Sequence, residues 1–152
     1  MSLVATGAQA PATQFVDSTG AVVPLASLYA DRVLVLFFYP KDDSPGCTAE
    51  ACNFRDRYEA FLAAGADVIG VSGDSAGSHA RFAGNHRLPF RLMSDPTGEA
   101  RAAFGIRKRL GLLEGRVTFV IDRAGVVRNV YESHLRMDAH ANESLDVVRG
   151  LQ

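Results

Sequence analysis

Apolar residues run unbroken from 33 to 39 and stop at Pro40. A stretch that is nonpolar on both alternating faces is the pattern of a central strand covered on both sides, and proline, which has no amide donor, ends it. Residues 66–72 predict a second buried strand and residues 90–93 a short third one. Residues 116–121 and 126–131 predict two further strands. They are joined across Asp122-Arg123-Ala124-Gly125, a hairpin connection with glycine where positive φ is needed. Near the start, Ser18-Thr19-Gly20 separates two short extended runs, so another hairpin precedes the first central strand. Residues 75–86, 98–104 and 138–151 carry helical patterns. Strands alternating with helices, then a hairpin and a closing helix, predict an α/β fold. It is a mixed central β-sheet flanked by helices, with thioredoxin-like architecture. Fold alone assigns no function.

Between the first two central strands, Ser44 is a favoured N-cap, Pro45 a favoured first helical residue and Gly65 a favoured terminator, so a helix is expected over 45–64. Cys47, Ala51, Phe54, Tyr58 and Phe61 recur at spacings of four and three, giving one apolar stripe that faces the sheet. Cys47 then sits in the first turn, at the edge of the core. Unpaired amides and the helix dipole favour negative charge there, and the thiolate is the nucleophilic form of cysteine. The plain alternative is a small buried hydrophobe, which is what most free cysteines are.

Cys52 follows on the same helix. At helical rise and rotation the two Cα atoms lie roughly 8 to 9 Å apart and point about 140° away from each other. That exceeds the reach of a disulfide. The pair can bond only if the first turns unwind; otherwise Cys52 is a partly buried filler beside Arg55 and Glu59.

Composition narrows the field. The chain has 152 residues, of which 47% are apolar, which fits one domain with its own core spanning 1–152. Sixteen basic against 17 acidic side chains, in no long runs of one sign, speak against nucleic acid or a membrane surface as partner. The longest apolar run is far short of a bilayer span, and the start lacks the order of a signal peptide, so a cytoplasmic protein is expected. Two cysteines in a domain of this size are not needed as staples, which leaves them for chemistry.

The run from Tyr39 to Cys52, Tyr39-Pro40-Lys41-Asp42-Asp43-Ser44-Pro45-Gly46-Cys47-Thr48-Ala49-Glu50-Ala51-Cys52, resembles the active-site signature of the peroxiredoxins, Pro-x-x-x-Ser/Thr-x-x-Cys, matched by Pro40, Ser44 and Cys47. The spacing of Cys47 to Cys52 and the Asn53-Phe54-Arg55-Asp56 that follows resemble the bacterioferritin comigratory protein branch, also called peroxiredoxin Q. The similarity continues through Val68-Ile69-Gly70-Val71-Ser72, Leu92-Met93-Ser94-Asp95, Phe104-Gly105-Ile106 and Arg116-Val117-Thr118-Phe119-Val120-Ile121-Asp122. The resemblance implies that Cys47 is the peroxidatic and Cys52 the resolving cysteine. It also implies that Ser44 contacts the sulfur and peroxide, Pro40 shields the sulfur and Arg116 stabilises the thiolate. It implies a thiol-dependent peroxidase with no metal or organic cofactor, acting on hydrogen peroxide and organic hydroperoxides. Its Cys47–Cys52 disulfide is recycled by thioredoxin or a similar dithiol, and it works as a monomer, with a homodimer as the alternative.

Two departures stand out. Ser44 occupies a position where threonine is commoner, and it lacks the methyl that restricts the rotamer. The connection over 107–115 is short for this branch, which makes Arg107, Lys108 and Arg109 lesser substitutes for Arg116 and marks Leu110, Leu112 and Leu113 as an interface or a packed loop.

The plain readings remain beside these roles: strand termination for Pro40, an ordinary N-cap for Ser44, and an exposed strand-end arginine for Arg116. A disulfide reductase would want Cys-x-x-Cys, which is absent. A thiol-based redox sensor or binding module with slow turnover is the rival of a different class. His79, His86, His134 and His140 have no ligand spacing tied to the cysteines and are expected on surfaces or helix faces. Asp42 and Asp43 read as a solvated turn. Gly70-Val71-Ser72-Gly73-Asp74 lacks the second glycine of a hydrolase nucleophile elbow.

Overall fold

The computed structural model describes residues 3–106 and 115–152. Strand β1 (Gln14–Val16) turns back onto β2 (Val22–Pro24), and the short helix α1 (Leu25–Tyr29) follows directly. Asp17 makes this turn: its Oδ1 accepts hydrogen bonds from the amides of Thr19 and Ala21 and from the Thr19 hydroxyl. Strand β3 (Val33–Phe38) leads to α2 (Pro45–Asp56) and α3 (Tyr58–Ala63), and then to β4 (Ala66–Ser72). Next come α4 (Ala76–His86), β5 (Arg91–Ser94) and α5 (Glu99–Ala103). Strands β6 (Val117–Ile121) and β7 (Val127–Glu132) and the closing helix α6 (Met137–Gly150) complete the described elements.

The seven strands form one mixed sheet in the order β2-β1-β5-β4-β3-β6-β7. Its middle is parallel, with β3 beside β4 and β4 beside β5; the remaining pairings, β3 with β6, β6 with β7, β1 with β2 and β1 with β5, are antiparallel. Both faces are covered, as the continuous apolar run at 33–39 requires. Leu34, Leu36 and Phe38 point into a core closed by Phe15, Leu25, Phe104 and Phe119. Val35, Phe37 and Tyr39 point into the opposite core, with Cys47, Phe54, Phe61, Phe82 and Leu145. The expected mixed sheet with flanking helices is therefore what forms.

The expected helix over 45–64 is two helices. Arg57 breaks it, with φ −110° and ψ 5°, so α2 ends at Asp56 and α3 starts at Tyr58. The stripe survives the break, because Cys47, Ala51, Phe54 and Phe61 are all buried. The Phe37 ring stacks on Phe54 at 4.5 Å between centroids and fixes α2 to β3. Gly65, at φ 86°, ends α3 as expected. Helix α1 was not anticipated: a single turn starting from Pro24 leaves too short a period to read. The connection carrying Arg107, Lys108, Arg109, Leu110, Leu112 and Leu113 lies outside the described residues, apart from Gly115 at its end.

Candidate active site

The antiparallel register sets Phe38 opposite Val117, so the end of β3 meets the start of β6. Pro40 and the loop into α2 leave one strand there, while Arg116 enters the other. This is a consequence of pairing two segments far apart in sequence, and it brings Arg116 to the N-terminus of α2.

Ser44 caps α2 from extended backbone, and Pro45 occupies its first turn. The Ser44 hydroxyl accepts from the Cys47 amide at 3.4 Å and donates to the Lys41 carbonyl at 3.1 Å. Both sides of the hydroxyl are thus engaged by backbone, and Cys47 Sγ takes its hydrogen bond from Arg116 Nη2 at 3.3 Å. Cys47 is fully buried and Arg116 nearly so, at 5% exposure, which overturns the plain reading of Arg116 as an exposed strand-end residue. Gly46 permits the approach: a Cβ there would stand 3.2 Å from Arg116 Nη2. Pro40 is half-buried at the strand end. Cys52 is half-buried on the intact helix, and both cysteines are free thiols.

A residue the sequence reading passed over completes the site. Glu50 is fully buried one turn beyond Cys47, and its Oε1 accepts from Arg116 Nη1 at 2.9 Å. Its other oxygen, Oε2, has no hydrogen bond among the described residues; His140 Nδ1 stands 3.2 Å from it. A carboxylate against a guanidinium would ordinarily stay ionised. Here burial outweighs the attraction of Arg116 and pushes the Glu50 carboxyl up to about 8. His140 is likewise fully buried. Its Nδ1 lies 2.8 Å from Thr118 Oγ1 and its Nε2 2.8 Å from the Ser133 carbonyl. Burial lowers this imidazole to about 4; the Ser133 carbonyl opposes the shift, and the charges of Arg116 and His134 add to it. The sequence did hold a signal for both residues. Glu50 falls on the Cys47–Ala51–Phe54 stripe, and His140 on the face of α6 that carries Ala141, Ser144, Leu145 and Val148.

On the other side of the approach loop, Asp42 is 3% exposed, not part of a solvated turn. It accepts from Tyr39 Oη at 2.5 Å and Ser78 Oγ at 2.8 Å, and it pairs with His79 Nδ1 at 2.8 Å. Burial raises its carboxyl, but the bonds from His79, Tyr39 and Ser78 win and hold it below the ordinary carboxylate range. The loop chain is also tied by the Asp42 amide, which donates to Asp74 Oδ2 at 2.8 Å, the same oxygen that Ser72 Oγ reaches at 2.6 Å. Asp42, Asp74 and His79 bring ligand-type atoms within 4.8 Å of one another, yet the atoms concerned are engaged in these bonds, so the group works as a clamp. His79 and His140 sit on faces of α4 and α6, one of the two expected placements, but those faces are buried and not at the surface; each is held by partners that the linear sequence does not place beside it.

The AhpC/TSA family profile matches residues 6–130. Peroxiredoxin Q of Triticum aestivum, a chloroplastic protein, is 43% identical over 149 residues, covering 97% of this chain and 68% of the relative. The chloroplastic peroxiredoxin Q of Sedum lineare is 42% identical over 150 residues, with 98% and 80% covered. Among solved structures, peroxidoxin BcpB of Mycobacterium tuberculosis superposes with a TM-score of 0.89 at 40% identity over 97% of both chains. Peroxiredoxin Q of Xanthomonas campestris gives 0.82 at 31% identity, covering 91% of this chain and 90% of that one. These relatives correct one expectation. The curated ones are chloroplastic, which overturns the cytoplasmic assignment; it rested on the lack of an apolar span, a feature that does not separate one aqueous compartment from another.

Proposed function

The chain belongs to the AhpC/TSA family, in its peroxiredoxin Q branch, and is a thiol-dependent peroxidase; from that premise we propose that Cys47 is the attacking sulfur and Cys52 resolves it. The observation that carries this reading is the buried Cys47 sulfur in the first turn of α2, 3.3 Å from Arg116 Nη2. A guanidinium and a helix N-terminus both favour the thiolate, and the guanidinium also offers a donor where charge grows on the departing oxygen.

The Cys47 thiolate attacks the terminal oxygen of a hydroperoxide. The O–O bond breaks, the leaving oxygen takes a proton to become water or an alcohol, and the sulfur is left as a sulfenic acid. Ser44, whose proton rests on the Lys41 carbonyl, turns its hydroxyl to the entering peroxide, and Pro40 keeps bulk water from the sulfur. Helix α2 then unwinds from its N-terminus, and the Cys52 thiol condenses with the sulfenic acid, releasing water and forming the disulfide. The break at Arg57 supports a limit to this unwinding, since α3 can stay packed through Phe61. An external dithiol, thioredoxin in our reading, returns both thiols by exchange. Two cysteines of one chain close this cycle, which supports a single domain working as a monomer; light scattering of the reduced and oxidised protein tests that part.

The decisive experiment is NADPH oxidation coupled through thioredoxin and its reductase, with hydrogen peroxide, for the wild type, Cys47→Ser and Cys52→Ser. Activity lost in both variants is the expected result. Turnover unchanged in Cys52→Ser would refute the role of Cys52, and turnover retained in Cys47→Ser would refute that of Cys47.

A further inference from the structure

We infer that His140 is a positioning residue for the peroxidase reaction: it shares one proton with Glu50, and that proton keeps the charge of Arg116 directed at the Cys47 sulfur. The inference rests on the reading of Cys47 as the attacking thiol.

The proton count follows from geometry. His140 Nε2 faces the Ser133 carbonyl at 2.8 Å, and a carbonyl can only accept, so Nε2 carries a hydrogen. A neutral imidazole then has a lone pair on Nδ1. That atom is 3.2 Å from Glu50 Oε2, with both side chains wholly out of solvent. Two lone pairs at that distance in a buried site repel unless a proton lies between them. It can sit on Oε2, giving an acid and an imidazole, or on Nδ1, giving a carboxylate and an imidazolium. Thr118 Oγ1, 2.8 Å from Nδ1, accepts from a protonated nitrogen; a bare nitrogen has one lone pair, for which the Thr118 hydroxyl and the Glu50 acid compete.

Either way the pair is neutral overall, and the positive charge of Arg116 is left to the sulfur. Loss of the shared proton would leave a lone carboxylate 2.9 Å from Arg116 Nη1, competing with the Cys47 thiolate for the same guanidinium. The groups facing the pair are few. Among the described residues Arg116 faces Glu50 from the start of β6, with Cys47 on the other nitrogen of the same guanidinium. Thr118, the Tyr131 ring at 4.8 Å from β7, and the charges of Arg116 and His134 face His140. Among the described residues none of them donates to Oε2. Burial raises Glu50 to about 8 and lowers His140 to about 4, so acid beside neutral imidazole is the form between those limits.

The test has a spectroscopic arm that needs no activity. Infrared spectra of the reduced wild type at neutral pH are expected to show a buried protonated carboxyl band that Glu50→Gln removes, and nitrogen NMR to show His140 protonated on Nε2 alone. A second arm follows stopped-flow oxidation of Cys47 by peroxide against pH. The wild-type rate is expected to fall about tenfold per pH unit above a midpoint near 8. Glu50→Gln should lack this limb. In His140→Asn, whose amide would donate to Oε2 and favour the carboxylate, the limb should move to lower pH. Absence of the carboxyl band without a His140 protonated on both nitrogens, or a limb unmoved in both variants, overturns the inference. A uniform rate loss in His140→Asn with the limb in place would make His140 merely structural. If Cys47→Ser retained turnover, the peroxidatic reading would fail while the spectroscopic result stood.

Discussion

Two buried carboxyl–imidazole pairs flank the candidate active site, and their carboxyls are shifted in opposite directions. Asp42 with His79 anchors the loop before α2; Glu50 with His140 lies under Arg116 one turn past Cys47. Exposure does not separate them, since all four side chains are buried. Donor count does. Asp42 receives bonds from Tyr39 and Ser78 besides His79, and these hold it ionised against the cost of burial. Glu50 has Arg116 on one oxygen and, among the described residues, no hydrogen bond on the other, and burial wins. A buried carboxylate stays charged where enough donors converge on it, and one ion pair is not enough. The Asp42 pair is a fixed brace, while the Glu50 pair can change charge beside the chemistry.

That contrast can be broken most directly at Asp42. Asp42→Asn strips the charge from a fully engaged site, and loss of one partner of a buried pair costs about 3–5 kcal/mol. Urea unfolding of the reduced protein is expected to show a destabilisation of that size, and a loss under about 1 kcal/mol would mean that Asp42 is not the brace described. Arg116→Met is the next largest. Removing one preorganised donor costs about 10²- to 10³-fold in rate, measured as single-turnover oxidation of Cys47, with peroxide-independent stability falling much less than in Asp42→Asn. Glu50→Gln is expected to be mild near neutral pH, within about 1 kcal/mol in unfolding, because the carboxyl it replaces is already uncharged there; equal costs at positions 42 and 50 would erase the comparison.

The smallest effect is the pH dependence of stability, and its sign differs between the pairs. Glu50 is raised on folding, so its contribution is complete below the unfolded value of about 4.3 and is lost as pH rises through about 8. Asp42 is depressed, so its contribution is present above the unfolded carboxylate value and is lost as pH falls through the folded one. His140 is depressed too: its contribution is present above about 6.5 and is lost as pH falls through about 4. The Glu50 share of the melting temperature should therefore decline as pH rises from about 4.3 to about 8 and level off above it, and Glu50→Gln should flatten that decline while leaving in place the opposite-signed acid contributions of Asp42 and His140.

The core of the candidate site was legible because it is local. The Ser44 cap, Pro45 and the stripe through Cys47 and Phe54 lie in one stretch of chain, where capping and periodicity act within a few residues. The run at 33–39 announced its own burial for the same reason. The break at Arg57 was not legible, since the stripe stays in phase across it. Glu50 and His140 were visible as polar residues on apolar faces, but what a buried carboxyl does depends on the donors around it. The donor to Glu50 enters at the start of β6, and the partners of His140 come from β6 and the stretch after β7, segments far along the chain.

The sequence by itself determined the strands, the capped helix and the placement of a cysteine in its first turn, because those follow from interactions between near neighbours. Only the tertiary structure decided that Arg116 reaches the sulfur, that Asp42 is braced by converging donors, and that burial outweighs the attraction of Arg116 at Glu50. Those outcomes are set by the antiparallel entry of β6 beside the end of β3 and by α6 packing on α2. Charge in a protein interior is fixed by which distant groups converge on a site, and convergence is a property of the folded chain.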